Sequence, residues 1–366
     1  MAVYLDHAAG TPMRPAAAAA LAEAAGRVGN PSSVHRHGQA ARAALEEARE
    51  RLAAVLDCDP LEVVLTSGGT ESVNLAVTGA YRAGRGRTDV LVPGGEHAAT
   101  VEAVDALVAS EGARLVPLAV DADCRLDAAE LARALADSAA SAALVTALWA
   151  NNEVGTVNPV RDLADVAARA RVPLHLDAVA AFGSVPVSFR ASGAALLSVS
   201  AHKVGGPAGV GALVVSRTAA VAPLLHGGGQ ERGLRSGTPP TALAVSFAVA
   251  AEEAVATLAE EAGRTARLRD RALAGLVAAL PAAVVRGADP AGARLPNNLH
   301  VTVPGADGED LLFLLDAAGV SVSTGSACLA GVARLSPVLL AMGVPAEEAR
   351  GALRITFGHS STEADV

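Results

Sequence analysis

The chain has 366 residues, 51% apolar and 18% charged, enough to bury a sizeable core over about two domains. Its 29 basic residues against 38 acidic ones give a net charge of −9, which argues against nucleic acid as a partner, because phosphate binding needs a positive surface. Three separated cysteines exclude a disulfide framework, and no run reaches the roughly 18 uninterrupted apolar residues of a membrane helix. With no basic-then-apolar stretch after Met1, a cytoplasmic location is expected.

Pro15 to Ala25 reads as a helix, broken by Gly29-Asn30-Pro31-Ser32-Ser33, and a second helix follows from about Gly38 to Leu56. Short apolar runs then alternate with helical patterns. Strands are expected at Val63–Leu65, Val90–Val92, Leu115–Leu118, Ala143–Val145, Leu174–Leu176 and Leu196–Val199, with helices at Val101–Ala109 and Ala128–Ala136. This alternation predicts an α/β fold with a mostly parallel sheet flanked by helices on both faces, and ligands at the carboxyl ends of its strands. Near Pro239-Pro240 the rhythm changes. A long helix from about Ala242 to Leu280 with one break leads to a strand at Asn298–Val303, a helix at Glu309–Ala317 and a late strand at Leu353–Phe357. The expected organisation is a large domain over 15–240, and a smaller α/β domain formed by 241–366 with the N-terminal arm 1–14.

The chemistry concentrates at strand ends. Lys203 follows the strand Leu196–Val199 and precedes Gly205-Gly206, while Asp177 closes the strand Leu174–Leu176 at the same sheet edge. A lysine in a loop is uninformative alone. Paired with a strand-end carboxylate, it suits pyridoxal phosphate: the amine forms a Schiff base, and the carboxylate keeps the pyridine nitrogen protonated. Thr66-Ser67-Gly68-Gly69-Thr70 supplies a turn and helix N-terminus for a phosphate, with Gly69 and Thr70 closest and Ser200 and His202 as further donors. His97 also follows a strand and opens a helix, where an imidazole could stack on the cofactor and transfer protons. His35 and His37 lack further ligands at metal spacing, so no metal site is expected.

Several ordered segments make a family match. Y-L-D-H-A-A, G-N-P-S-S, T-S-G-G-T-E-S, W-A-N-N-E-V-G-T, H-x-D-A, S-A-H-K, H-G-G-G-Q-E-R-G-L-R-S-G-T and S-T-G-S-A-C span nearly the whole chain. The sequence resembles the cysteine desulfurases of the iron–sulfur-cluster and nitrogen-fixation type, within the class V aminotransferase group of pyridoxal-phosphate enzymes. The resemblance implies the fold type I architecture of these transferases, with a seven-stranded sheet. It implies a homodimer with shared active sites, in which Thr238 reaches the phosphate of the other subunit. It further implies that Asn152 lies near the cofactor's phenolic oxygen and the substrate carboxylate, and that Arg354 pairs with that carboxylate.

Cys328, in the Gly/Ser/Ala-rich segment T-G-S-A-C-L-A-G, would then be the nucleophile that takes sulfur from L-cysteine as a persulfide and passes it to an acceptor or scaffold protein. Cys58 and Cys124 sit in ordinary settings. Where the pattern usually reads D-A-x-Q, this chain has Asp177-Ala178-Val179-Ala180, losing a hydrogen bond to the cofactor. It also stops at Val366, before the helix with which relatives dock scaffolds. Two other functions stay open: a β-lyase that releases pyruvate from cysteine or its S-conjugates without Cys328, and a catalytically weakened assembly subunit.

Overall fold

The computed structural model describes residues 2–325 and 335–366. A two-residue strand, β1 (Val3–Tyr4), precedes helices α1 (Pro15–Ala25) and α2 (Arg36–Leu56). The main sheet comprises β2 (Val63–Thr66), β3 (Asp89–Pro93), β4 (Arg114–Leu118), β5 (Ala142–Leu148), β6 (Leu174–Asp177), β7 (Leu196–Ser200) and β8 (Gly211–Val215). Between these strands lie α3 (Gly69–Ala83), α4 (Ala98–Glu111), α5 (Ala128–Asp137), α6 (Val160–Ala170) and α7 (Phe189–Ser192). The rest of the chain forms α8 (Thr241–Ala256), α9 (Leu258–Ala279), β9 (Val284–Val285), β10 (Asn298–Thr302), α10 (Gly308–Ala317), β11 (Val320–Ser321), α11 (Pro337–Ala341), α12 (Ala346–Ala349) and β12 (Ala352–Thr356).

The seven strands are ordered β2-β8-β7-β6-β5-β3-β4, and every pairing is parallel except the two made by β8. This is the mostly parallel sheet anticipated from the sequence. Strand β8 was not anticipated: it inserts antiparallel between β2 and β7, directly after a Gly-rich turn. Side chains alternate across the sheet as the two-residue repeat requires. Val64, Val90 and Val92 join the core under α3 and α4, whereas Val63, Leu65 and Leu91 join the core under α2, α5, α6 and α8. Burial of both faces explains why these strands read as continuous apolar runs.

The break expected in the long helix lies at Thr257, where α8 and α9 meet at a 70° bend. Ala244, Phe247, Ala248 and Ala251 of α8 are fully buried, and this helix packs on α1 and α2. Small residues let those helices approach closely in a chain poor in aromatics. Among the described residues no single helix is long and apolar enough to cross a membrane.

Strands β9, β10 and β12 form a separate antiparallel sheet, and β1 pairs in parallel with β11. Leu5 of the N-terminal arm packs with Leu299, Val301, Leu353 and Phe357 in this region. The arm then crosses to the main sheet: Thr11 N–H donates to His202 O (3.2 Å) and Arg14 N–H to Gly205 O (2.8 Å). It therefore passes over the loop that carries Lys203.

Candidate active site

The turns after β2, β3, β5, β6 and β7 leave the same sheet edge and enclose a pocket of about 150 Å³. Gly69, Thr70, His97, Asn152, Asp177, His202 and Lys203 line it, together with Leu148, Val179 and Ala180. Seven residues expected from the sequence thus meet on one wall-to-wall site. Ala180 presents only a methyl group where the family pattern has a glutamine.

Asp177 terminates β6 between Leu148 of β5 and Ser198 of β7, and is buried. Its Oδ1 accepts the Val179 N–H at 2.9 Å. Burial pushes its carboxyl pKa up, while the neighbouring His97 and Lys203 pull it back. Two residues earlier on β6, His175 binds Thr146 Oγ1 through Nδ1 and Ser198 Oγ through Nε2, both at 2.9 Å. Complete burial lowers its pKa to about 3, so it adds no charge beneath Asp177.

Lys203 ends a short 3₁₀ turn, Ala201–Lys203, after β7. Its Nζ donates to the Ala8 carbonyl and, at 3.1 Å, to the Ala9 carbonyl of the arm. Burial, reinforced by the Arg354 charge, lowers its pKa to about 8. His97 is the N-cap of α4, with Nδ1 accepting the Ala99 N–H at 3.0 Å. A neutral ring then carries its proton on Nε2. The residue is solvent-exposed, yet partial desolvation by the atoms around the ring lowers its pKa against the pull of Asp177.

Gly68, the N-cap of α3, adopts φ +152° and ψ −174°, a conformation open essentially to glycine alone. It turns the backbone so that the α3 N-terminus opens toward the pocket, where Thr70 is exposed. Ser200 is buried behind this turn, 3.5 Å from where a Cβ on Gly69 would stand, and its hydroxyl pairs with His202 Nδ1 at 2.8 Å. Desolvation, aided by Lys203, lowers the His202 pKa to about 4.

Two expected residues, Thr238 and Arg354, stand off this pocket's wall. Thr238 is exposed on a separate groove with Arg27, Val28 and His37, outside this pocket. Arg354, on β12, is buried beside the pocket rather than on its wall: Nη1 donates to Asn152 O (3.0 Å) and Nη2 to Asp6 Oδ1 (2.9 Å). Cys328 lies outside the described residues. The other two thiols are poor nucleophiles, since burial, with nearby carboxylates adding to it, pushes both Cys58 and Cys124 up to about 12.

Other contributors escaped the reading of the sequence. Glu96, next to His97, is buried and accepts the Leu148 N–H at 2.8 Å, with burial raising its pKa well above the carboxylate range. Its place in G-G-E-H at a strand end was the available signal. Asp6 and the Ala8 and Ala9 carbonyls come from the arm, within the Y-L-D-H-A-A segment, which carried the family resemblance but no residue role.

Against known proteins, residues 3–366 match the Aminotransferase class-V family. The sequence is 49% identical over 367 residues to an IscS-like cysteine desulfurase of Mycobacterium tuberculosis, covering 99% of this chain and 93% of that protein. The chain belongs to the cysteine desulfurase family of class V aminotransferases. A solved NifS-like protein superposes with a TM-score of 0.91 at 34% identity, covering all of this chain and 96% of that one. SspA, solved in complex with cysteine, superposes with a TM-score of 0.83 at 30% identity, covering 96% of this chain and 98% of that one. The fold is therefore that of the type I pyridoxal-phosphate enzymes, the group to which class V aminotransferases belong.

Proposed function

We propose that this chain converts L-cysteine to L-alanine, holding the sulfur as a persulfide on Cys328 and passing it to an acceptor protein for iron–sulfur cluster assembly or another thiolation pathway. The observation that carries this reading is the convergence of Lys203, Asp177 and His97 on one pocket. The donor set fits pyridoxal 5′-phosphate: a buried carboxylate for the ring nitrogen, an amine of lowered pKa for the carbonyl carbon, and a glycine-shaped turn at a helix N-terminus for the phosphate. When bound, the cofactor supplies an electron-accepting ring that weakens bonds at the substrate's α- and β-carbons.

Gly69, Thr70, Ser200 and His202 would hold the phosphate, with Thr238 contributed by a second copy of the chain in a homodimer. Thr238 lines a groove that shares no residue with the pocket of its own chain, which is in keeping with that arrangement. Asn152 and Arg354 would hold the substrate carboxylate. Lys203, with its pKa near 8, releases its proton close to neutral pH and can accept the α-proton of the substrate. The proton that Lys203 takes from the α-carbon can be returned to the product by Lys203 itself, or by His97 once the imidazole has been protonated.

The Cys328 thiolate attacks the substrate sulfur. An S–S bond forms, the substrate C–S bond breaks with its electron pair left on carbon, and that carbon takes a proton. L-cysteine and a thiol become L-alanine and a persulfide, with no external oxidant or reductant.

The test is product analysis with the holoenzyme, L-cysteine and a thiol reductant. Alanine and sulfide in equal amounts are expected. Pyruvate would instead mean β-elimination, and no product would mean a non-catalytic assembly subunit.

A further inference from the structure

Strands β5, β6 and β7 begin at the sheet edge opposite the Lys203 pocket, and antiparallel β8 ends there. Between the last turns of α3 and α6 this edge forms an open cleft of about 620 Å³, room enough for a molecule of nucleotide size. Leu174 in the cleft and Asp177 in the Lys203 pocket are the two ends of β6, so the two sites lie on opposite edges of one sheet.

Arg85, Arg87 and Arg171 line the cleft, and no acidic residue does. Arg87 Nη1 donates to the Ala142 carbonyl at 3.2 Å, while Arg85 and Arg171 are exposed. Among the described residues none of the three makes an ion pair, although Arg82 of α3, Arg114 of β4 and Arg217 after β8 each hold a carboxylate. The ends of α3 and α6 attract cations through the helix dipole, but Arg82 and Arg169 in their last turns already meet that need. Arg85 and Arg171 are moreover held in left-handed backbone, at φ +51° and +57°, where glycine is the usual residue. Neither position needs an arginine for folding. The floor between them is apolar, with Ala80, Ala143, Ala164, Ala167 and Leu174 all buried.

We infer that this cleft binds a phosphorylated small molecule with a flat ring body, a nucleoside diphosphate in chemical class, with Arg85, Arg87 and Arg171 on its phosphates. Guanidinium groups grip phosphate oxygens through paired hydrogen bonds, and a chain of net charge −9 gathers three of them here with no carboxylate to hold. The alanine floor has only short side chains, which leaves room for a ring to cover it and gain from burial. The inference does not depend on the role of Cys328, because the cleft shares no residue with the Lys203 pocket.

The experiment is calorimetric titration of holoenzyme, freed of unbound cofactor, with ADP; bound cofactor keeps the probe out of the Lys203 pocket. Saturable binding below about 1 mM is expected. Arg85→Gln and Arg171→Gln, both at exposed positions, should each weaken it about tenfold. Arg82→Gln, whose arginine is held by Glu111 outside the cleft, should leave it within about threefold. Inorganic pyrophosphate has the charge without the ring and should bind at least about tenfold more weakly than ADP. No saturation, or an equal loss in Arg82→Gln and the cleft variants, overturns the inference. Equal affinities for ADP and pyrophosphate overturn the ligand class, since the floor is then unused. Ala220→Glu guards against a folding artefact: it keeps all three arginines and puts a carboxylate at an exposed position of the cleft. ADP binding at wild-type affinity in that variant overturns the site.

Discussion

Arg354 and Asp6 stand 348 positions apart in the chain and meet at 2.9 Å, guanidinium Nη2 to carboxylate Oδ1, with little of either side chain exposed. The pair joins the N-terminal arm to β12. Arg354 also donates to the carbonyl of Asn152, on the pocket wall. A carboxylate substrate beside Asn152 would therefore meet a guanidinium already partly neutralised, and would have to share it with Asp6.

Arg354→Lys keeps the charge but loses the planar fork. Hydrogen bonds to charged groups are worth about 1.5–3 kcal/mol, so KM for L-cysteine should rise about tenfold or more, with a smaller change in kcat. Steady-state kinetics decides this; an unchanged KM would put the substrate carboxylate elsewhere.

His97 combines a structural and a chemical task that two substitutions separate. His97→Ala removes the cap on α4, at a cost of about 1 kcal/mol. His97→Asn restores a capping oxygen without an imidazole, so its stability should return to near wild type. Both should lose about 10²–10⁴-fold in turnover if the ring transfers a proton. Denaturation midpoints and kcat measured on both variants give the answer. A fully active His97→Asn would reduce His97 to a cap.

Lys203 makes stability depend on pH in the apoprotein. Its pKa is about 8 folded against 10.5 in the unfolded chain. Between these values the unfolded chain holds a proton that the folded chain has released, so stability rises with pH across that window. Lys203→Met should therefore stabilise the apoprotein below pH 8, by about 3 kcal/mol at most, and the advantage should fade toward pH 10.5. Urea denaturation at pH 7 and 10 tests it. A gain independent of pH would show that charge burial is not the cause.

The loop leading to Thr238 is anchored by an ion pair. Arg49 of α2 donates to Glu231 through Nη1 and Nη2, both at 2.7 Å, and Glu231 Oε2 also accepts the Leu65 N–H at 2.9 Å. Glu231→Ala leaves the buried guanidinium without its carboxylate and should cost about 3–5 kcal/mol. A shift in the denaturation midpoint of less than a third of that would mean water or another group reaches Arg49.

Much of the pocket was legible because its residues follow strands one after another. Asp177 and Lys203 sit at the ends of β6 and β7, and parallel strands bring their carboxyl ends to one edge whatever the loops do. Gly68 and Gly69 signal a special turn in the same way. Glu96 adjoins His97 in the sequence, yet its burial depends on β5 closing over it. Strand β8 was missed because a short apolar run after several glycines carries no periodicity to distinguish it from a turn.

The sequence by itself determined the mostly parallel sheet, which residues gather at its edge and the family, since these rest on local order: residue types at strand ends and apolar runs of set length. Tertiary structure alone decided that Asp6 faces Arg354, that the Ala8 and Ala9 carbonyls hold Lys203, and that the Ser336 hydroxyl donates to Glu153. Such contacts join segments far apart in the chain. Their partners are chosen by packing of the whole core, and no local pattern encodes that choice.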